Sequence, residues 1–248
     1  MTQSDISNLA VFCDYENVAI GARDAKYGAF DIAPVLERLL LKGNIVVKKA
    51  YCDWERYKDA KKTMHEGAFE LIDIPHVRQS GKNSADIRMV VDALDLCYTK
   101  AHVDSFVLVT GDSDFSPLVS KLRENNKKVI GVGVKNSTSD LLSANCDEFI
   151  FYDDLVRKTP RKRRGKSKGK QVSKEEERKQ ECFDLVLETI EALADDRGDA
   201  KIWGSMVKQT LKRTRPGFNE SYYGFSSFSA LLEEMQKRKL VTLARDQR

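Results

Sequence analysis

An apolar run, Leu9-Ala10-Val11-Phe12-Cys13, leads straight into Asp14-Tyr15-Glu16-Asn17. A second run, Phe106-Val107-Leu108-Val109, leads into Thr110-Gly111-Asp112-Ser113-Asp114. A further acid, Asp86, opens the segment Ser84 to Thr99, just after Lys82-Asn83. Carboxylates that converge raise one another's pKa and oppose folding. A divalent cation relieves that repulsion, and an oxygen-only donor set suits Mg²⁺ or Mn²⁺ rather than zinc. Such an ion can hold a phosphate oxygen and activate water for in-line attack, which is the chemistry of phosphodiester hydrolysis. Taken singly, each acid also suits a strand-end turn or a helix cap, Asp86 through the helix dipole. The combination is what points to a site. Asp92 lies six positions after Asp86, about 120° around an ideal helix and about two turns further on. It is therefore set outside the cluster, as a supporting or surface residue.

Parallel strands buried on both faces are what would position such acids. Ile45-Val46-Val47 and Val129-Ile130-Gly131-Val132 are short continuous apolar runs like the two above, as expected of strands covered on both sides. Helical spacing fills the intervals. Asp31 to Lys42 carries Ile32, Val35, Leu36, Leu39 and Leu40, and Ser84 to Thr99 carries Ile87, Val90, Val91, Leu94 and Tyr98. The alternation predicts an α/β sandwich of six strands ending near Tyr152, with function at the carboxyl ends of the strands.

The chain has 248 residues, enough for two domains. Hydrophobic residues make up 41% and charged residues 32%, a balance that excludes wholesale disorder. The net charge of +4 is unevenly spread. Residues 157–174 hold ten Lys and Arg and no acid, whereas residues 1–156 and 175–248 carry net charges of −5 and −1. The predicted organisation is an α/β domain over 1–156, a basic, self-repelling linker over 157–174, and a small domain over 175–248. That last block has helical spacing at Phe183, Val186, Leu187, Ile190 and Leu193, stopped by Gly198. A second helix runs from Ile202 to Leu211, closed by Pro216-Gly217. A third is defined by Phe225, Phe228, Leu231, Leu232 and Met235, and Leu240-Val241-Thr242-Leu243 reads as a short strand. Together they suggest a winged-helix-like module. No apolar run of the length that spans a bilayer is present, and the N-terminus lacks the pattern of a signal peptide. The five scattered cysteines form no Cys-x-x-Cys pair and the three histidines no ligand spacing. These features predict a cytoplasmic chain without membrane or zinc.

The stretches Leu9 to Asn17, Gly81-Lys82-Asn83-Ser84-Ala85-Asp86 and Val109-Thr110-Gly111-Asp112-Ser113-Asp114 carry a resemblance. They resemble, in order, the three motifs of NYN domains, members of the PIN-like nuclease superfamily, and more narrowly the bacterial LabA-like (DUF88) branch. The likeness implies a PIN-like three-layer sandwich with a mainly parallel central sheet. It implies Asp14, Asp86, Asp112 and Asp114 as catalytic, metal-binding acids for Mg²⁺ or Mn²⁺. It further implies that Asn17 orients the metal's water or a phosphate oxygen, that Ser113 bonds a phosphate and that Lys82 neutralises one. Thr110 stands where many relatives carry Ser. Residues from about Gln180 to Leu243, above all Phe218 to Leu232, are similar to OST-HTH or LOTUS domains, a winged-helix class associated with RNA binding. Lys208, Lys212, Arg213 and Arg215 form a modest basic cluster there, and Tyr222 and Tyr223 could stack on bases as readily as fill a turn or core.

The expected function is a metal-dependent ribonuclease, with RNA held by the linker and the C-terminal domain. The alternative is a catalytically silent RNA-binding regulator. An aspartyl phosphatase needs Asp-x-Asp after the first strand, where Asp14-Tyr15-Glu16 stands. A dinucleotide binder needs Gly-x-Gly-x-x-Gly there and has none. The oligomeric state is left open, a homo-oligomer included.

Overall fold

The computed structural model describes residues 7–74, 84–156, 174–198, 201–215 and 218–244. Contacts divide the chain into two compact units, Met1–Arg161 and Lys162–Arg248.

The first unit is an α/β fold around a six-stranded, all-parallel sheet in the order β3-β2-β1-β4-β5-β6. The strands are β1 (Ser7–Asp14), β2 (Gly43–Cys52), β3 (Glu70–Asp73), β4 (Ser105–Val109), β5 (Lys128–Gly133) and β6 (Glu148–Phe151). The apolar runs are continuous because alternate residues enter different cores. Leu9, Val11 and Cys13 of β1 pack on one face, with residues of helices α1 (Tyr15–Asp24), α2 (Ala33–Leu40) and α3 (Lys58–Glu66). Ala10 and Phe12 pack on the other, with α4 (Ser84–Thr99) and α5 (Ser116–Glu124). Helices α6 (Asp140–Asn145) and α7 (Tyr152–Val156) flank β6 in sequence. Leu9 to Cys13 are all fully buried, as are Phe106 to Val109.

The strand order reverses between β1 and β4. In a parallel sheet the crossovers diverge at that point and leave a crevice beyond the carboxyl ends of the two strands. Asp14 ends β1, and Thr110 follows β4 directly.

Helix α4 has the predicted bounds but not the predicted face. Met89, Ala93 and Cys97 form its buried stripe, while Ile87, Val91 and Tyr98 are exposed by 62%, 55% and 64%. Val90 and Leu94 are only partly buried. Counting the large apolar side chains selected the wrong arc, because the helix approaches the sheet through its small residue Ala93.

The second unit is helical: α8 (Lys174–Arg197), α9 (Gly204–Thr214) and α10 (Phe228–Lys237), with a 3₁₀ turn at Glu220–Tyr223. Gly198 ends α8 at φ +61°, its N–H donating to the Ala194 carbonyl (2.9 Å), the left-handed stop that glycine adopts at little cost. Ser227 caps α10, its Oγ accepting from the Ala230 N–H (3.1 Å). Phe183, Val186, Leu211, Phe228, Leu231 and Met235 fill the core. The expected strand at 240–243 does not form. The unit offers no second strand among its described residues, so Leu240 and Val241 pack on the helical core instead. The expected basic cluster is partly engaged within the unit: Lys208 Nζ donates to Glu220 (2.7 Å) and Arg213 to Thr210 Oγ1 (3.0 Å).

All five cysteines are free, four of them buried. Among the described residues no helix is long and apolar enough to cross a membrane.

Candidate active site at the carboxyl edge of the sheet

Asp14 is buried at the end of β1 and serves two neighbours. Its Oδ1 accepts from the Asn17 N–H (3.3 Å) at the start of α1, and its Oδ2 accepts from Thr110 Oγ1 (3.2 Å). Thr110 is fully buried, and its hydroxyl also accepts the N–H of Asp112 (3.2 Å). One hydroxyl thus joins the two strand ends that carry acids. A second tie runs parallel to it: the Gly111 N–H donates to Asn17 Oδ1 (2.8 Å). The Gly111 carbonyl in turn accepts from Ser139 N–H (2.9 Å). A Cβ at Gly111 would run into the Ser137 carbonyl oxygen, so the loop after β4 can pass this close only as glycine.

Asp112 caps the 3₁₀ turn Ser113–Phe115, with its Oδ1 accepting from Asp114 N–H (2.9 Å). Each of Asp14 and Asp112 is therefore a cap as well as a member of the cluster. Asp86 is half-buried in the first turn of α4, and Asp114 is exposed.

The electrostatics tie these positions together. Burial, then repulsion from Asp86, pushes the Asp14 carboxyl up to about 7 despite the hydrogen bonds from Asn17 and Thr110; Asp112 adds to the rise. Burial, then the charges of Asp112, Asp114 and Glu16, raises Asp86 above the ordinary carboxylate range. Each of the four predicted acids is thus coupled to another of them. Among the described residues, no three His, Cys, Asp or Glu side chains are gathered tightly enough to enclose one ion. The acids repel through space without sharing a common contact point.

Asp92 belongs elsewhere. Its carboxylate accepts from Tyr51 Oη (2.9 Å), Lys49 Nζ (3.1 Å) and Arg88 Nε (3.0 Å). Burial alone would raise its pKa, but the hydrogen bonds and charges of these partners hold it below the ordinary range. It is a satisfied structural anion, unlike Asp14.

Ser113 follows Asp112 and lines a shallow depression of mixed character with Asp114, Pro117, Leu141 and Asn145. Lys82 lies outside the described residues. Asn17 carries a bond that its expected role did not include: its side-chain carbonyl oxygen accepts from the Gly111 N–H, which makes it a tie for the acidic loop. The sequence reading gave Thr110 no role. A hydroxyl in the first position after a buried strand, two residues before an acid, was the signal available.

Residues 8–153 match the NYN domain family. The chain belongs to this family. NYN domains form part of the PIN-like nuclease superfamily, and the observed sheet fits that fold. The chain is also 28% identical over 149 residues to the uncharacterized protein MJ0482 of Methanocaldococcus jannaschii, covering 60% of this chain and 59% of that protein. It therefore spans about three-fifths of that relative's length. A crystal structure of a protein of unknown function, VPA0982 from Vibrio parahaemolyticus, superimposes with a TM-score of 0.52 at 27% identity. That match covers 62% of this chain and 98% of the Vibrio one.

Proposed function

We propose that this NYN domain is a ribonuclease whose Asp14, Asp86, Asp112 and Asp114 hold Mg²⁺ or Mn²⁺. One observation carries the reading. Three distant stretches of chain bring acids to the carboxyl edge of the sheet, where β1 and β4 are neighbours, close enough that Asp86 and Asp112 push up the pKa of Asp14, and Asp112 and Asp114 that of Asp86, beyond the effect of burial. The donor chemistry fits a hard cation, because every group is a carboxylate oxygen. When bound, the ion would supply positive charge to a phosphate oxygen and lower the pKa of water. The protein's own residues do the rest. Thr110 and Asn17 hold the two strand ends in register, and Asp14 is kept largely from water so that its charge is poorly screened. Ser113, beside Asp112, would donate to a neighbouring phosphate.

The C-terminal unit and the basic segment before it complete the proposal as the RNA-holding part, in the manner of an OST-HTH or LOTUS module. Three helices around an aromatic core support this reading, and the narrower LabA-like (DUF88) assignment rests on the motif wording alone. The test is cleavage of labelled single-stranded RNA with Mg²⁺, Mn²⁺ or EDTA, beside an Asp112→Asn variant. Cutting that EDTA and the variant both abolish is the expected result. RNA that is bound but never cut would leave the regulatory reading in its place.

A further inference from the structure

Beside the acid cluster the first unit holds a cavity of about 400 Å³ between α1, α3 and the loop at Gly28–Phe30. Its lining is aromatic and apolar within and cationic outside. Tyr15, Phe30 and Met64 are nearly fully buried, Tyr57 is half-buried, and Arg23 and Arg56 are exposed. The rings are already organised: Tyr15 meets Tyr57 edge-on at 5.5 Å and Phe30 edge-on at 6.0 Å. Such edge-to-face packing fixes ring orientation in advance of any ligand. Asp59 at the same cavity adds a hydrogen-bond acceptor.

The cavity is joined to the acids by chain and by charge. Tyr15 is the residue after Asp14. Glu16, whose charge helps to raise the pKa of Asp86, accepts from Arg56 Nη1 (3.2 Å). Arg56 thus stands between the cluster and the cavity. A guanidinium carries five donors and a flat face, so one bond to Glu16 still leaves it able to meet a phosphate or a ring.

We propose that this cavity is a nucleobase subsite: it takes one base of the RNA strand whose backbone lies at the acid cluster. A base offers what the lining matches, a flat π-face for Tyr57, a donor edge for Asp59 and a phosphate on the Arg56 side. The volume falls within the ordinary range for small-ligand pockets, roughly 300–1,000 Å³. The inference rests on the ribonuclease reading in taking RNA as the ligand.

The test uses the full chain in EDTA and short oligoribonucleotides with a single 2-aminopurine stepped along the strand. At one position the fluorescence is expected to fall on binding, as the base stacks. Tyr57→Ala removes the stacking partner, and Ala60→Trp fills the cavity. Each is expected to weaken that quenching by about tenfold in concentration, in line with the usual worth of one base–aromatic stack. Equal quenching in all three proteins, or none in the wild type, overturns the inference. Should Ala60→Trp lose its circular dichroism signal, Tyr57→Ala carries the test alone. The two readings fail separately. Base capture lost on filling the cavity, with no cleavage under any metal, keeps the subsite and removes the nuclease. Normal cleavage and KM in both variants, with unchanged quenching, keeps the nuclease and removes the subsite.

Discussion

Replacing Asp14 with Asn should stabilise the metal-free protein, and the effect should grow with pH. The Asp14 carboxyl sits at about 7 in the fold against 3.8 for the ordinary group. A carboxyl with a raised folded pKa favours the native state while protonated. That advantage is complete below the unfolded value and disappears as pH rises through the folded one. The difference of about three units corresponds to about 4 kcal/mol at pH 8, shrinking to about 2 kcal/mol at pH 5 and to almost nothing at pH 3. Asparagine is isosteric, can accept from Asn17 N–H through its Oδ1 while its Nδ2 donates to the Thr110 hydroxyl, and carries no charge to be desolvated. The assay is urea unfolding in EDTA, followed by Trp54, which is buried in the first unit, in a Trp203→Phe background that silences the other tryptophan. Asp14→Asn should exceed wild type most at pH 8 and match it near pH 3. Saturating Mn²⁺ should stabilise wild type by mass action and leave the variant unmoved, which reverses the ranking. A gap between the two proteins that does not change from pH 5 to pH 8 in EDTA would refute the reasoning.

Three further outcomes follow from particular contacts. Gly111→Ala drives a methyl into the Ser137 carbonyl and should lower stability by about 1–3 kcal/mol in the same urea assay, with weaker Mn²⁺ binding by calorimetry. Asp92→Ala leaves the Tyr51 hydroxyl and Lys49 ammonium without their shared acceptor; a loss of about 2–3 kcal/mol is expected, with Mn²⁺ affinity unchanged. Ser227→Ala removes the cap of α10 and should lower the stability of the helical unit by about 1 kcal/mol, read by hydrogen exchange at its core amides.

Much of this architecture could be read in the chain because each strand solves a local problem. Leu9 to Cys13 is apolar at every position, and only a strand covered on both faces uses such a run. The acids at the ends of β1 and β4 could be listed for the same reason. Their support could not. The Thr110–Asp14 and Gly111–Asn17 bonds join residues 96 and 94 positions apart, and they exist only because β1 and β4 are neighbours at the reversal of strand order. The face of α4 was misread for a different reason. A helix with large apolar side chains on several sides does not declare which arc meets the sheet, and the small Ala93 decides it. Residues 240–243 have strand composition, but a strand is defined by its partner.

The two readings of Asp14, a cap or a charge, separate on energetic grounds. The cap alone does not call for an aspartate, since asparagine caps a helix about as well. The Thr110 hydroxyl does not call for one either, because a hydroxyl can accept from an amide N–H as readily as it donates to a carboxylate. What asparagine cannot supply is the negative charge, and the surroundings make that charge costly: it is nearly shut from water, faces Asp86 and Asp112, and meets no basic group among the causes of its shift. Asp92 shows what this fold does with a carboxylate that only needs to be satisfied, surrounding it with Lys49, Arg88 and a tyrosine hydroxyl. Asp14 has no such company. A carboxyl whose structural duties a neutral residue could perform, set where burial and neighbouring acids push its pKa up, is what the proposed cation would account for, since a bound positive charge would favour the ionised form.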